Sequence, residues 1–237
     1  VTNSLINKKY AVIKKLKKSF ISNNFDEIIT FSFQSLQSHE LLSGDPSLKI
    51  SNSISEDHAF MRSSMLFNHL DSLESNRKKG INKLSIFEIG PIYNNSKSQE
   101  NILFALTSNN KNQNKYFGED DMNYYSLTKT VSKILSSVNF DIRQFSIIRS
   151  SNNIFHPGQS AELHMGKKII ARYGKIHPLI LESFPKLSNT FGIEFYFENL
   201  PIESMFSRYK NFKQESSFQH SEKDFSFIFN KDQNLYE

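Results

Sequence analysis

Two of the seven histidines stand where chemistry would want them. His156 opens the run His156-Pro157-Gly158-Gln159-Ser160, and His177 precedes Pro178. Imidazole serves as general base and as metal ligand in hydrolytic sites. A zinc site needs two or three converging ligands, and neither H-E-x-x-H nor H-x-H occurs. Each His-Pro reads instead as a turn, its proline fixing the backbone and its imidazole bonding a nearby carbonyl. Ser63-Ser64, behind Arg62, offers a hydroxyl nucleophile. No G-x-S-x-G elbow surrounds it, so the pair reads as a helix N-cap with Arg62 in a structural ion pair. Glu119-Asp120-Asp121 offers hard oxygen ligands to a divalent cation, but lacks further alternating ligands and reads as a solvated helix N-terminus. The absence of Cys removes thiol nucleophiles, disulfides and thiolate metal sites. Eight glycines leave no G-x-G-x-x-G and no Walker loop. From these residues alone, no catalytic, cofactor-binding or metal-ligating set is assigned.

The elements that would position such residues follow from periodicity. Leu5, Ile6, Val12, Ile13, Leu16 and Phe20 recur at helical spacing, with Lys8, Lys14, Lys15 and Lys18 on the other face. Those lysines could meet tRNA phosphates, although such a face is more often simply solvated. Ser22-Asn23-Asn24 ends this helix, since Asn tolerates the left-handed conformation. The β-branched and aromatic run 27–33 predicts a strand, and Leu66, Leu70 and Leu73 predict a helix over 65–78 with Gly80 past its end. Strands are expected over 84–93 and 102–107, joined through the polar 94–101 region, and 108–121 is expected to be a surface loop. A helix carrying Tyr124, Leu127, Val131, Ile134, Leu135 and Val138 follows. Four more strands are expected over 144–149, 161–165, 169–176 and 191–197. Strands close in sequence with irregularly inserted helices predict an α+β domain built on an antiparallel sheet flanked by helices.

The 237 residues carry 29 Lys and Arg against 24 Asp and Glu, a net charge of +5. That permits an anionic partner without demanding one. With 22 phenylalanines a substantial core is available, which excludes global disorder. No apolar run approaches the roughly 18 residues of a membrane span. A first residue of Val is expected of a fragment.

Five motifs occur in order: 24–33 (NFDEIITFSF), 61–66 (MRSSML), 87–93 (FEIGPIY), 156–163 (HPGQSAEL) and 174–178 (GKIHP). Together they resemble the beta subunit of bacterial phenylalanyl-tRNA synthetase over essentially the whole chain. The resemblance implies the class II synthetase fold, with residues 3–33 as the motif 1 helix–strand unit. It places 87–93 at motif 2 and 190–195 at motif 3. Active class II sites use an Arg in each of motifs 2 and 3, because guanidinium groups pair bidentately with the phosphates of ATP. Here no Arg occurs over 84–95 or 190–202. The expected module is therefore inactive, with ATP and Mg²⁺ used by the whole enzyme and bound by none of this segment.

The implied partners are the alpha subunit and tRNA, in a cytoplasmic tetramer of two alpha and two beta chains with no membrane contact. The expected subunit interface is carried by Leu5, Val12, Leu16 and Phe20. Phe67-Asn68 stands where the family usually has Pro-Gly, so an earlier start to that helix is expected. The expected domains are a class II-like core over 1–207 and, over 208–237, the first part of a truncated ferredoxin-like anticodon-binding domain. There Glu222-Lys223-Asp224 replaces the family's usual Arg-Arg-Asp. Two competing readings are a stand-alone RNA- or protein-binding paralogue and a small hydrolase using His156 or His177.

Overall fold

A computed structural model describes residues 2–42, 44–81, 83–109, 122–150, 152–201 and 221–228. The chain opens with helix α1 (Thr2–Ser22), which ends where Asn24 takes φ 62°. Strand β1 (Asp26–Glu27) follows at once. The expected strand over 27–33 is broken: a stretch without regular structure separates β1 from β2 (Phe33–Gln34). The break arises because two partners share the segment. Ile28 N–H still bonds to Phe87 O at the main sheet, whereas Phe33 pairs with Met61 in a separate two-stranded ladder.

Helix α2 (Leu36–Leu41) was not expected from periodicity; six residues with a Ser35 N-cap are too short to show one. Strand β3 (Phe60–Met61) leads into α3 (Leu66–Lys78), and Gly80 at φ 91° closes α3 as expected. The helix begins at Leu66, so the Phe67-Asn68 pair lies inside it. Strands β4 (Lys83–Asn95) and β5 (Ser98–Asn109) form one long hairpin, turning at 95–98 instead of across the whole 94–101 region. Helix α4 (Tyr124–Ser137) starts with a reciprocal capping box of Asn123 and Ser126. Strands β6 (Ser146–Ile148), β7 (Phe155–Met165) and β8 (Lys168–Ile176), the short helix α5 (Pro178–Leu181) and β9 (Thr190–Phe195) complete the order.

The main sheet has seven strands in the order β1-β4-β5-β9-β8-β7-β6, antiparallel apart from the parallel β1–β4 pair. Strand alternation sends odd and even positions to opposite faces. One face meets α1 and α4: Val12, Leu16, Phe20, Leu127 and Val131 pack on Phe87, Leu103, Ile193 and Phe195. The other meets α3 and α5: Leu66, Leu70, Ile180 and Leu181 pack with Ile86, Phe104, Leu106 and Ile176. Gly174 lets β7 and β8 close at a bulge, since a Cβ there would stand 2.5 Å from Gln159 O.

Residues 221–228 carry no regular secondary structure and are exposed, with Phe225 and Phe227 about 70% accessible. The boundary expected near 207 falls outside the described residues. Among the described residues no helix is long and apolar enough to cross a membrane.

Candidate functional site

The α3 side of the sheet carries charge where an apolar face would be expected. Cross-strand register lines up Glu162 with Arg172, Arg172 with Glu194, Glu194 with Phe104 and Phe104 with Glu88. One row across five strands therefore holds three carboxylates and one guanidinium, in positions flanked along each strand by residues of the opposite core. All three glutamates are buried.

At one end of the row, Arg62 and Glu88 form an ion pair at 2.9 Å, with side chains 1% and 4% exposed. Such a pair is tenable only if every remaining donor is satisfied. Arg62 Nε donates to Pro91 O at 2.9 Å, and Nη1 donates to Thr30 Oγ1 at 2.9 Å. Thr30 in turn donates to Glu88 Oε2 at 2.6 Å. Arg62 thus fastens the segment after β1 to the middle of β4. Gly90 leaves it room, since a Cβ there would come within 2.8 Å of Nη2. Beside the pair, His69 is fully buried, donates Nδ1–H to Met65 O at 3.0 Å, and stands edge-on to Phe104. Burial, with help from the Arg62 charge, lowers its pKa to about 3, so the ring is neutral.

At the other end Arg172 Nε donates to Glu162 Oε1 at 3.1 Å, and Ser150 Oγ donates to the same oxygen at 3.0 Å. Arg172 Nη1 donates to Tyr196 Oη at 2.9 Å, and Tyr196 donates on to Glu194 Oε2 at 3.2 Å. Glu194 lies 3.8 Å from Arg172. Desolvation outweighs that charge and raises the Glu194 carboxyl to about 7.

This shift sets a pH dependence. A carboxyl that holds its proton more tightly when folded favours the fold below its folded pKa, and the advantage fades as pH rises from about 4.5 to 7. Glu194→Gln should therefore stabilise the chain at pH 8 by up to about 3 kcal/mol and leave it nearly unchanged at pH 4.5. Urea unfolding at the two pH values checks this; equal effects at both would show that the folded Glu194 carboxyl is not raised.

The residues singled out from sequence are dispersed. His156 and Pro157 lie in the excursion of β7 between Phe155 and Ser160, where His156 Nδ1 accepts the Gly158 N–H at 2.9 Å. His177 caps α5, and its Nδ1 accepts the Leu179 N–H at 3.3 Å. Both are turn-formers, but each ring accepts from an N–H two residues on instead of bonding a carbonyl. The N-cap of α3 is Met65, not Ser63 or Ser64; Ser64 Oγ accepts from Leu66 N–H just ahead of the helix, and the expected ion pair of Arg62 forms with Glu88. Glu119-Asp120-Asp121 lies outside the described residues. Among the described residues no three His, Asp or Glu side chains gather as a metal site requires.

Of the stripe expected at a subunit interface, Val12, Leu16 and Phe20 are fully buried in the chain's own core. They can support a partner only by holding α1 in place. Leu5 lies in α1 where only the backbone is described. The outward line of α1 carries Tyr10, Lys14 and Ile21 instead. The charged row was missed, yet its signal is present: Ala161-Glu162-Leu163, Ala171-Arg172-Tyr173 and Ile193-Glu194-Phe195 each set one charge between two core residues.

The fold is that of a class II aminoacyl-tRNA synthetase core. Two solved structures of the pyrrolysyl-tRNA synthetase from Desulfitobacterium hafniense superpose with TM-scores of 0.60 and 0.58, at 15% and 13% identity. They cover 82% and 83% of this chain and 68% and 67% of theirs. The chain belongs to the phenylalanyl-tRNA synthetase beta chain CLM domain family, whose model matches residues 1–197. Similar curated proteins are phenylalanine–tRNA ligase beta subunits. Those of Zymomonas mobilis and Rickettsia typhi are each 26% identical, over 92% and 97% of this chain. That of a Wolbachia from Brugia malayi is 29% identical over 92%. The chain spans 27–29% of the length of these relatives.

Proposed function

We propose that this chain is a non-catalytic module of the beta subunit of a phenylalanine–tRNA ligase, in which it anchors the alpha subunit and helps to place tRNA. The observation that carries the non-catalytic reading is the row on the α3 face. Where motif 2 and motif 3 of an active enzyme would offer guanidinium groups, β4 and β9 offer Glu88 and Glu194. Arg62 is spent on Glu88, and Arg172 lies between Glu162 and Glu194. A nucleoside triphosphate does not fit such a face. Its charge would meet carboxylates, and the space over Phe104 and Leu106 is filled by α3 and α5 side chains. ATP and Mg²⁺ then serve the whole enzyme through its other parts. The isolated chain should show no phenylalanine-dependent pyrophosphate exchange. Exchange above background that is abolished by an Ala substitution in this chain would falsify the reading.

Assembly with alpha is supported by exposed apolar side chains on α1 and on the segment after β1: Tyr10, Ile21, Ile29 and Phe31 are 67%, 56%, 91% and 70% accessible. A tetramer of two alpha and two beta chains in the cytoplasm completes this reading. The tRNA role is supported by charge segregation. The six lysines of α1 and two of α4 have no carboxylate in either helix, whereas the rest of the chain holds 21 cations against 24 carboxylates. Residues 208–237 are read as the opening of a ferredoxin-like anticodon-binding domain.

A further inference from the structure

We propose that the cleft between segment 29–35, His58 and α3 receives the guanidinium group of an arginine presented by a partner protein. The cleft has a volume of about 660 Å³ and no Lys or Arg in its lining. Its walls include the rings of Phe31, Phe33 and Phe67, and two carboxylates, Asp57 and Asp71, border it. Two further lining residues make it a site instead of an acidic patch. Gln34, 4% exposed, uses Nε2 on His39 Nδ1 at 3.2 Å and leaves Oε1 with no donor. Asn68 donates Nδ2 to both Phe31 O and Phe33 O at 3.2 Å, which fixes its amide orientation and leaves Oδ1 buried and unpaired. Both orphans are acceptors, and a buried acceptor without a donor is costly.

The charge around the cleft is also uncompensated. Partial burial, then the nearby Glu74 and Asp57, raise the Asp71 carboxyl, while Lys78 only partly opposes them and is itself paired with Glu74 at 3.0 Å. His58 is the remaining titratable lining group, and its Nδ1 is engaged with Ser55 Oγ at 2.8 Å.

The missing ligand must therefore donate several hydrogen bonds, carry positive charge and present a flat face to phenyl rings. Guanidinium does all three: five donors in a planar fork, weak hydration and favourable stacking on aromatics. An ammonium is smaller and more strongly hydrated, and a metal ion gains nothing from three phenyl walls. A polypeptide carrier is indicated because the cleft is several times larger than one side chain and opens beside exposed Ile29 and Phe31. Arginine is among the side chains enriched in the hot spots of protein interfaces. That the carrier is the alpha subunit rests on the assembly reading above; the guanidinium preference does not.

The test titrates the 237-residue chain with Nα-acetyl-arginine amide, with the neutral isostere Nα-acetyl-citrulline amide and with the lysine analogue, while the side-chain amide NMR signals of Gln34 and Asn68 are followed. Saturable shifts are expected with the arginine compound, with the other two weaker by about tenfold or more. Asp57→Asn combined with Asp71→Asn should erase that difference without unfolding the chain, because both residues lie at the surface even though the Asp71 carboxyl is partly covered. Silence of both amides, or equal responses to arginine and citrulline, overturns the site; equal responses to arginine and lysine overturn the guanidinium preference. In a second arm, the double variant should bind the alpha subunit about tenfold more weakly. Unchanged affinity alongside arginine binding would reject alpha as the carrier. Failure of alpha to bind even the unaltered chain would reject the assembly reading and leave the titration to decide the site.

Discussion

Arg62→Met is expected to lower the stability of this chain by about 3–5 kcal/mol, the usual cost of leaving one member of a buried ion pair alone. At roughly 2–4 °C per kcal/mol for a chain of this size, the melting temperature should fall by about 6–20 °C. The reason is geometric: Arg62 is 1% exposed and gives hydrogen bonds to Glu88, Thr30 and Pro91 O, so its loss strands a carboxylate and a carbonyl. Glu88→Leu alone should cost as much, because it leaves the guanidinium in the core. The pair Arg62→Met with Glu88→Leu should cost clearly less than the two singles added, with a coupling of about 2 kcal/mol or more in urea unfolding. Additive single effects would mean that water reaches the pair. The same lesion should loosen the segment that displays Ile29 and Phe31, so assembly with alpha is expected to weaken along with the fold.

Leu16→Asp is expected to unfold the chain outright. Leu16 is wholly buried between α1 and the sheet, and a carboxylate there loses its hydration without gaining a partner, a cost of several kcal/mol. It therefore cannot report on an interface. Ile29→Asp can, because Ile29 is 91% exposed and lies outside any helix. Its effect on stability should stay within about 0.5 kcal/mol, while binding to alpha should fall by about tenfold. Circular dichroism melts alongside a titration with alpha separate the two outcomes. Normal assembly by a folded Ile29→Asp chain would remove the segment after β1 from the proposed interface.

Much of the architecture was legible because its signals are local. Helices α1, α3 and α4 show their periods and their stops: Asn24 at φ 62° and Gly80 at φ 91° end two of them where the sequence places Asn and Gly. The longer strands of the main sheet follow from β-branched and aromatic runs, and five ordered motifs were enough to indicate a class II core. Short elements were illegible for the same reason. The two-residue strands β2 and β3 hold no period, and they exist because Phe33 and Met61 find each other across 28 positions.

The candidate sites divide along this line. The chain's own residues determined what it lacks, since no arginine stands over 84–95 or 190–202 whatever the fold does. They also marked Arg62 for an ion pair, without naming Glu88. Only the tertiary structure decided which charges meet, because cross-strand register is set by pairing between segments far apart in sequence; it brought Glu162, Arg172 and Glu194 from three strands into one row. Only the tertiary structure, likewise, turned Val12, Leu16 and Phe20 inward. An apolar helical stripe states that it will be buried, but not against what; here the seven-stranded sheet of the same chain claims it, and the outer line of Tyr10, Lys14 and Ile21 is what remains for another.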